Sequence, residues 1–338
     1  MDVDVMTGGL PLRRMQELAR DTERAGYSGL VVTEGGRTAY LGCVAAALAA
    51  DLDLATGIAV AFPRSPMVTA QVAWELAEVS NGRFRLGLGT QVRAHIERRY
   101  GVDFDPPGPR LREYVAALRA IFTAFRGEAP LAFDGVHHQL SLLPRQWSPG
   151  PIDVADPPID VAAVNPWMLR MAGEVADGVH VHPLNTAVYV RDTVVPEVAA
   201  GAAFAGRSPD DVALIVPCFL VVGDSDEERR SRRELARTQI AFYGSTPNYA
   251  FVFDQIGAEG TTARLRERQK AGDLAGMTAQ ITDEVLEAVA VVCTWDDAAD
   301  RIVERYGSVA SRVVDYFAGM DWAQDPRRLD RFGEVVRD

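Results

Sequence analysis

Residues 53–88, DLATGIAVAFPRSPMVTAQVAWELAEVSNGRFRLGL, decide the fold. Asp53 to Val60 is an apolar run of strand length. After Pro66, Val68, Val72, Leu76 and Val79 recur at helical spacing as far as the polar, glycine-ended stop Ser80-Asn81-Gly82. Phe84-Arg85-Leu86-Gly87-Leu88 reads as the next strand. Strand, helix and strand in one short span make a unit of parallel sheet, because a parallel partner is reached only by a crossover.

The same alternation extends both ways. Upstream lie a strand at Val3-Asp4-Val5-Met6, a helix carrying Leu12, Met15, Leu18, Ala19 and Ala25 and closed by Gly26, a strand Gly29 to Thr33, and an Ala-rich helix from about Tyr40 to Ala50. Downstream, a proline-, glycine- and aromatic-rich segment at 130–158 is too long for an ordinary connection and is expected to cover a site or to move. Strands are then expected at Ile159 to Ala163, Gly178 to His182 and Val212 to Val222, with helices Pro166 to Ala176 and Val188 to Phe204 between them. A mostly helical stretch at 224–289, a helix near Asp297 to Tyr306 and a strand Arg312 to Phe317 complete the chain. Eight strands in this order favour a closed (β/α)8 TIM barrel over an open doubly wound sheet, formed as one domain over 1–338 with insertions at 130–158 and 224–289.

Charge narrows the function. A net charge of −12 repels phosphate backbones and anionic membranes, so neither nucleic acid nor a membrane is an expected partner. Cys43, Cys218 and Cys293 are far apart and lack ligand spacing, which fits buried thiols in a reducing compartment rather than disulfides or zinc. The start, MDVDVMTGGLPLRR, is acidic where a signal peptide is basic, and no apolar run approaches about 18 residues. A cytoplasmic, soluble protein is expected.

In a barrel, the residues just past each strand form the reactive face. Met6, Glu34, Ala59, Thr90, Gln91, His95, Asn165 and His182 all fall there. Asn165-Pro166-Trp167 is either an anion site at a helix start or an ordinary Asn cap with Pro in the first turn. Gly87 and Gly89 either admit a flat ligand or make a tight turn, and Glu34 is a base, a cofactor contact or a solvated loop acid. His180 and His182 share a strand face, with His182 nearer the active end. A metal there would need a third ligand that the sequence does not identify, so no metal is expected; a packed or a ligand-contacting histidine remains. No GxGxxG, P-loop or Ser-His-Asp pattern occurs.

Three blocks, ATGIAVAFPRSPMVTAQVAWELAEVSNGRFRLGLGTQVRAHIERRYG, PPIDVAAVNPWMLRMAGEVADGVHVHP, and QIAFYGSTPNY with ITDEVLEAVAVV, resemble the luciferase-like flavin and deazaflavin oxidoreductases, in particular a branch that uses coenzyme F420. The resemblance implies a cofactor ring over the third strand beside a non-proline cis peptide, by position Gly57-Ile58, and a phosphate at Asn165, Pro166 and Trp167. Ring or substrate contacts correspond to Glu34, Ala59, Thr90, Gln91, His95 and His182, with Met6 on the cofactor side. The activity it implies is hydride transfer between the deazaflavin and a small organic substrate, reducing C=C, C=N or C=O, with His95 or His182 as proton donor and Glu34 orienting the ring or substrate. An FMN-dependent monooxygenase and a non-catalytic cofactor-binding protein are the alternatives. A homodimer or larger assembly is implied as well. Relatives often follow the second-strand acid with a His-Asp-Pro-Phe-type segment, whereas here Glu34 is followed by Gly35-Gly36-Arg37-Thr38-Ala39-Tyr40, and Gln91-Val92-Arg93 lacks the glutamate of sugar-phosphate dehydrogenases.

Overall fold

A computed structural model describes the backbone of residues 1–336 and the side chains of residues 1–331. The strands are β1 (Asp2–Thr7), β2 (Gly29–Val32), β3 (Asp53–Thr56), β4 (Ala59–Val60), β5 (Phe84–Gly89), β6 (Phe133–Asp134), β7 (Gln139–Leu140), β8 (Ile159–Ala163), β9 (Gly178–Val181), β10 (Ala213–Val222), β11 (Ala290–Cys293) and β12 (Arg312–Asp315). Parallel pairing runs β12-β1-β2-β3-β5-β8-β9-β10, and β10 pairs back with β12, which closes an 8-strand barrel. The expected barrel is therefore the observed one.

Alternation along the strands sorts side chains into a lumen and an outer face covered by helices. Leu30, Val32, Leu54, Leu86, Leu88 and Val161 point outward into the main core shared with the helices. The lumen is layered. At its floor Arg312 contacts Asp4 at 2.7 Å, Asp2 at 3.0 Å and Asp53 at 2.8 Å, and Arg85 grips Asp160 through two hydrogen bonds of 2.9 and 2.6 Å. Above this lies an apolar layer of Met6, Val31, Ala55, Ile215 and Val314, with Tyr316 packed against it. These two layers fill the lower lumen.

Three features differ from the expectation. The run Asp53 to Val60 is two strands: β3 pairs with both β2 and β5, and after the cis peptide that the resemblance implied at Gly57-Ile58 the chain continues as β4, which pairs with β5 alone. A Cβ at Gly57 would lie 2.2 Å from Val31 Cγ1, so this approach to β2 requires glycine. β11, which falls between the expected helical stretch at 224–289 and the helix near Asp297 and was not expected, pairs with the outer half of β10 (Phe219–Val222) beyond the closed ring. After β12 the chain adds helices Ala318–Gln324 and Arg327–Val336.

The segment at 224–289 folds as helices Asp226–Gly244, Ala250–Asp254, Thr261–Lys270, Leu274–Thr278 and Asp283–Val289 around a core of its own that includes Ile240, Phe253, Leu265 and Leu286. The segment at 130–158 lies instead along the outside of helix Pro107–Arg126. Glu113 accepts hydrogen bonds from the N–H groups of Val136, His137 and His138 at 2.8, 2.7 and 2.7 Å, and Arg126 donates to the carbonyls of Ile152 and Val154. Helices Pro166–Val175 and Val195–Phe204 meet through Gly173 and Gly201. A Cβ at Gly201 would sit 1.9 Å from the Arg170 carbonyl oxygen. Gly201→Ala is accordingly expected to lose about 1–3 kcal/mol by overpacking, read as a lower urea midpoint at unchanged m-value; an unchanged midpoint would show that this helix pair can separate freely.

Candidate active site

A cavity of about 730 Å³ opens at the C-terminal end of the barrel. The residues after β5 (Thr90 to Ala94), the end of β8 and the helix start after it (Ala162, Val164, Asn165, Trp167, Met168), Pro107 to Pro109 and Thr246 to Tyr249 line it. Four expected site residues, Thr90, Gln91, Asn165 and Trp167, meet there. Residues 246–249 come from the second insertion. None from 130–158 lines the cavity, because that segment is tied down along an outer helix, so the expected covering role falls to the second insertion alone.

Local chemistry explains each placement. Gln91 takes a left-handed backbone (φ 59°) and its Oε1 accepts the Val92 N–H at 3.0 Å, turning the chain sharply after β5. Asn165 caps helix Pro166–Val175 by accepting the Met168 N–H at 2.9 Å. Pro166 has no N–H, so the Trp167 N–H is the donor that this exposed helix start presents. The Trp167 ring lies on Gly108, where a Cβ would approach it to 2.3 Å. Met6 lies deeper in the lumen, Ala59 is buried, and Ile58 packs its Cδ1 where a Cβ on Gly89 would come within 2.8 Å.

Glu34 is committed elsewhere. Its carboxylate, 4% exposed, accepts from the Val60 N–H at 2.7 Å and from Arg64 Nη1 at 2.9 Å, and pairs with Arg64 Nη2 as well. This clamp fixes the turn after β4. His95 lies on the exposed side of the short helix Arg93–Arg98, away from the cavity, because Ile96 is the residue that this helix buries.

His182, at the end of β9, stands 4.1 Å ring to ring from Tyr249 and edge-on at 4.8 Å to Tyr243. Its Nδ1 accepts the Leu184 N–H at 3.0 Å, which leaves its proton on Nε2. Burial pushes its pKa down to about 3, so the ring is neutral. His180, one layer lower, is pushed down to about 4 by burial, and its Nε2 lies 3.7 Å from Asp160 without a hydrogen-bond partner. Among the described residues, no group of His, Cys, Asp and Glu could hold a metal ion and no helix is long and apolar enough to cross a membrane. Arg64 lay among the loop candidates that follow the third strand, but its partner Glu34 is joined to it only by the fold; Tyr243 and Tyr316 were missed, since only tertiary contacts bring them to His182 and to each other.

A closed parallel barrel with its cavity at the strand C-termini is the arrangement of an α/β-barrel enzyme. More particularly, the chain belongs to the luciferase-like monooxygenase family, whose model matches residues 1–312. It is 38% identical over 317 residues to an uncharacterized protein of Mycobacterium tuberculosis, covering 92% of this chain and 93% of that one. To the 5,10-methylenetetrahydromethanopterin reductase of Archaeoglobus fulgidus it is 30% identical over 272 residues, 78% of this chain and 76% of the reductase. The coenzyme F420-dependent tetrahydromethanopterin reductase of Methanopyrus kandleri shares the fold, with a TM-score of 0.80 at 19% identity over 99% of this chain and 98% of that one. So does the FMN-bound oxygenating constituent of 3,6-diketocamphane monooxygenase from Pseudomonas putida, with a TM-score of 0.69 at 16% identity over 99% and 96%. The family thus holds both F420-dependent reductases and FMN-dependent monooxygenases.

Proposed function

We propose that this protein is a coenzyme F420-dependent oxidoreductase that reduces a C=C, C=N or C=O bond of a small organic substrate. The observation that carries the reading is the electrostatics of the cavity: in a chain of net charge −12, no carboxylate lines it, and its one charged lining residue among those described, Arg93, is paired with Glu97 and Asp105. An anionic cofactor fits such a lining, and the exposed Trp167 N–H at the helix start suits a phosphate. The sequence similarity to methylenetetrahydromethanopterin reductases, together with the fold shared with the F420-dependent tetrahydromethanopterin reductase of Methanopyrus kandleri, supports the deazaflavin over FMN.

When bound, the deazaflavin supplies a hydride. The chain would do the rest. Asn165, Pro166 and Trp167 hold the phosphate end, Thr90 and Gln91 shape the wall, and Gly57, Ile58 and Ala59 back the ring from the third strand position. Glu34 acts as a positioning residue that fixes Arg64 and the turn after β4, and His182 offers a neutral N–H at the mouth. His95, facing outward, takes no part.

FMN-dependent monooxygenation is the second reading, favoured by the fold shared with the FMN-bound oxygenating constituent of 3,6-diketocamphane monooxygenase. Titrating the purified protein with F420 and, separately, with FMN, following ring fluorescence or absorbance, distinguishes the two. The expected result is saturable F420 binding at least about tenfold tighter than FMN, a difference of about 1.4 kcal/mol. Preference for FMN, joined by oxygen uptake under turnover, would overturn it.

A further inference from the structure

We infer that the 730 Å³ cavity takes a singly charged phosphodiester and turns away a doubly charged phosphomonoester, because Glu97 and Asp105 withhold the Arg93 guanidinium from it. The inference deepens the F420 reading and rests on it for the presence of a phosphate. F420 carries its phosphate as a diester of single charge, whereas FMN ends in a monoester that is a dianion at pH 8. A dianionic phosphate is commonly met by a lysine or a free arginine. Here Asp105 grips Arg93 with both oxygens, Oδ1 to Nη2 at 2.6 Å and Oδ2 to Nη1 at 2.5 Å, and Glu97 Oε1 meets Nη1 at 2.9 Å. The guanidinium also lies over the Phe104 ring, 4.9 Å from its centre.

These three side chains are exposed, so their contacts contribute little stability. Their charges act whichever contact is made at a given moment: one guanidinium beside two carboxylates leaves the cluster at a net −1. No other cation compensates among the described residues. Lys270, the only lysine in the chain, ends helix Thr261–Lys270 away from the cavity. Arg99 donates to the Gly35 carbonyl at 2.5 Å, Arg110 lies over Phe62 and donates to the Asp103 carbonyl, and Arg98 is turned about 140° from Arg93 along their helix. What the lining offers instead is neutral donors. Gln91 Oε1 accepts the Val92 N–H and Asn165 Oδ1 the Met168 N–H, which fixes each amide and leaves its NH2 without a partner in the protein. Both residues line the cavity on neighbouring strand ends, just past the paired Leu88 and Val161. Neutral donors satisfy one negative charge, but a second is repelled by the cluster and finds no free cation.

Calorimetric titration of the full chain at pH 8 and low salt with four ligands tests the assignment. They are the deazaflavin riboside and riboflavin, each as its 5′-phosphate and as the 5′-methyl phosphodiester. Each diester is expected to bind about fivefold tighter than its monoester, the worth of one charge pair at about 4 Å in water. Because the difference is electrostatic, it should shrink in about 1 M salt. Glu97→Gln/Asp105→Asn frees Arg93 and takes the cluster to a net +1, so it should invert the preference. Glu97→Gln alone leaves the cluster neutral; it should abolish the preference, and it serves if the double variant does not fold. Monoesters binding as tightly as diesters in the native protein, a preference that both variants retain, or no binding of any of the four would overturn the inference. Tighter binding of both riboflavin ligands than of their deazaflavin counterparts, with the diester preference intact, would sink the cofactor reading and leave this one standing.

Discussion

Glu34→Ala is expected to lower the folding stability by about 3–5 kcal/mol, toward the lower end because Arg64 is 22% exposed. The loss has two sources. Arg64, stacked at 5.1 Å over the Tyr40 ring, would keep its charge half-buried without a counter-ion, and the Val60 N–H would lose its acceptor. Urea denaturation measures the loss. A Glu34→Ala/Arg64→Ala double variant should recover part of it, since the two side chains form one unit and their effects are not additive. The result also decides between two roles for this residue. A general base needs a lone pair free to take a proton, and here Arg64 and Val60 occupy both oxygens. Glu34→Gln, which sets amide hydrogens against Arg64, should then lose stability and cofactor affinity together. A variant of native stability that had lost only turnover would restore Glu34 to direct catalysis.

Why Glu34 invited a catalytic reading shows what the sequence could carry. Its place immediately after a strand is a one-dimensional signal, whereas its partner Arg64 lies 30 positions away and only the fold joins them. The barrel itself was legible because its signals are local: helix Leu12–Ala25 ends at Gly26 with φ 92°, and helix Pro66–Val79 begins at Ser65, which caps the Val68 N–H. The break at Gly57-Ile58 was legible only through the family resemblance; the local pattern hid it, because both pieces of that strand are largely buried and no change of period marks the step from β3 to β4. β11 was hidden similarly, since its residues continue the apolar run of helix Asp283–Val289. Thr90, Gln91, Asn165 and Trp167 emerged from sequence since they follow strand ends directly. His95 shared that proximity, but one step along a helix from buried Ile96 turns it about 100° away from the interior. Tyr243, Tyr249 and Tyr316 come from an inserted helix, a loop and a distant strand, and no spacing rule links them.

The second large effect is a pair of opposed pH dependences. His180, 5% exposed, is pushed from 6.5 to about 4, so between these values the unfolded chain binds a proton that the folded one refuses. Its contribution is complete above pH 6.5 and is lost as pH falls toward 4, about 3 kcal/mol in all. Asp315, 7% exposed, goes the other way: burial, with Asp321 nearby, lifts it from 3.8 to about 7. There the folded chain keeps a proton that the unfolded chain has released, so stability present below pH 3.8 is lost as pH rises through 7. Across pH 4–6.5 the His180 and Asp315 slopes largely cancel, and His182, pushed by burial to about 3, adds a further histidine slope, so native stability should rise with pH over this range. The variants separate them. His180→Gln should lose its share of the histidine slope, leaving His182 and Asp315 opposed, so that its stability changes little as pH rises from 4 to 6.5. Asp315→Asn keeps an acceptor for the Phe317 N–H, now at 3.1 Å from the aspartate, and removes the buried charge. It should be more stable than the native chain by about 2–4 kcal/mol at pH 8, with the advantage vanishing near pH 4. Parallel native and Asp315→Asn curves from pH 4 to 8 would mean that Asp315 ionises as freely in the folded chain as in the unfolded one, and that the Arg232–Asp321 pair beside it compensates its burial in full.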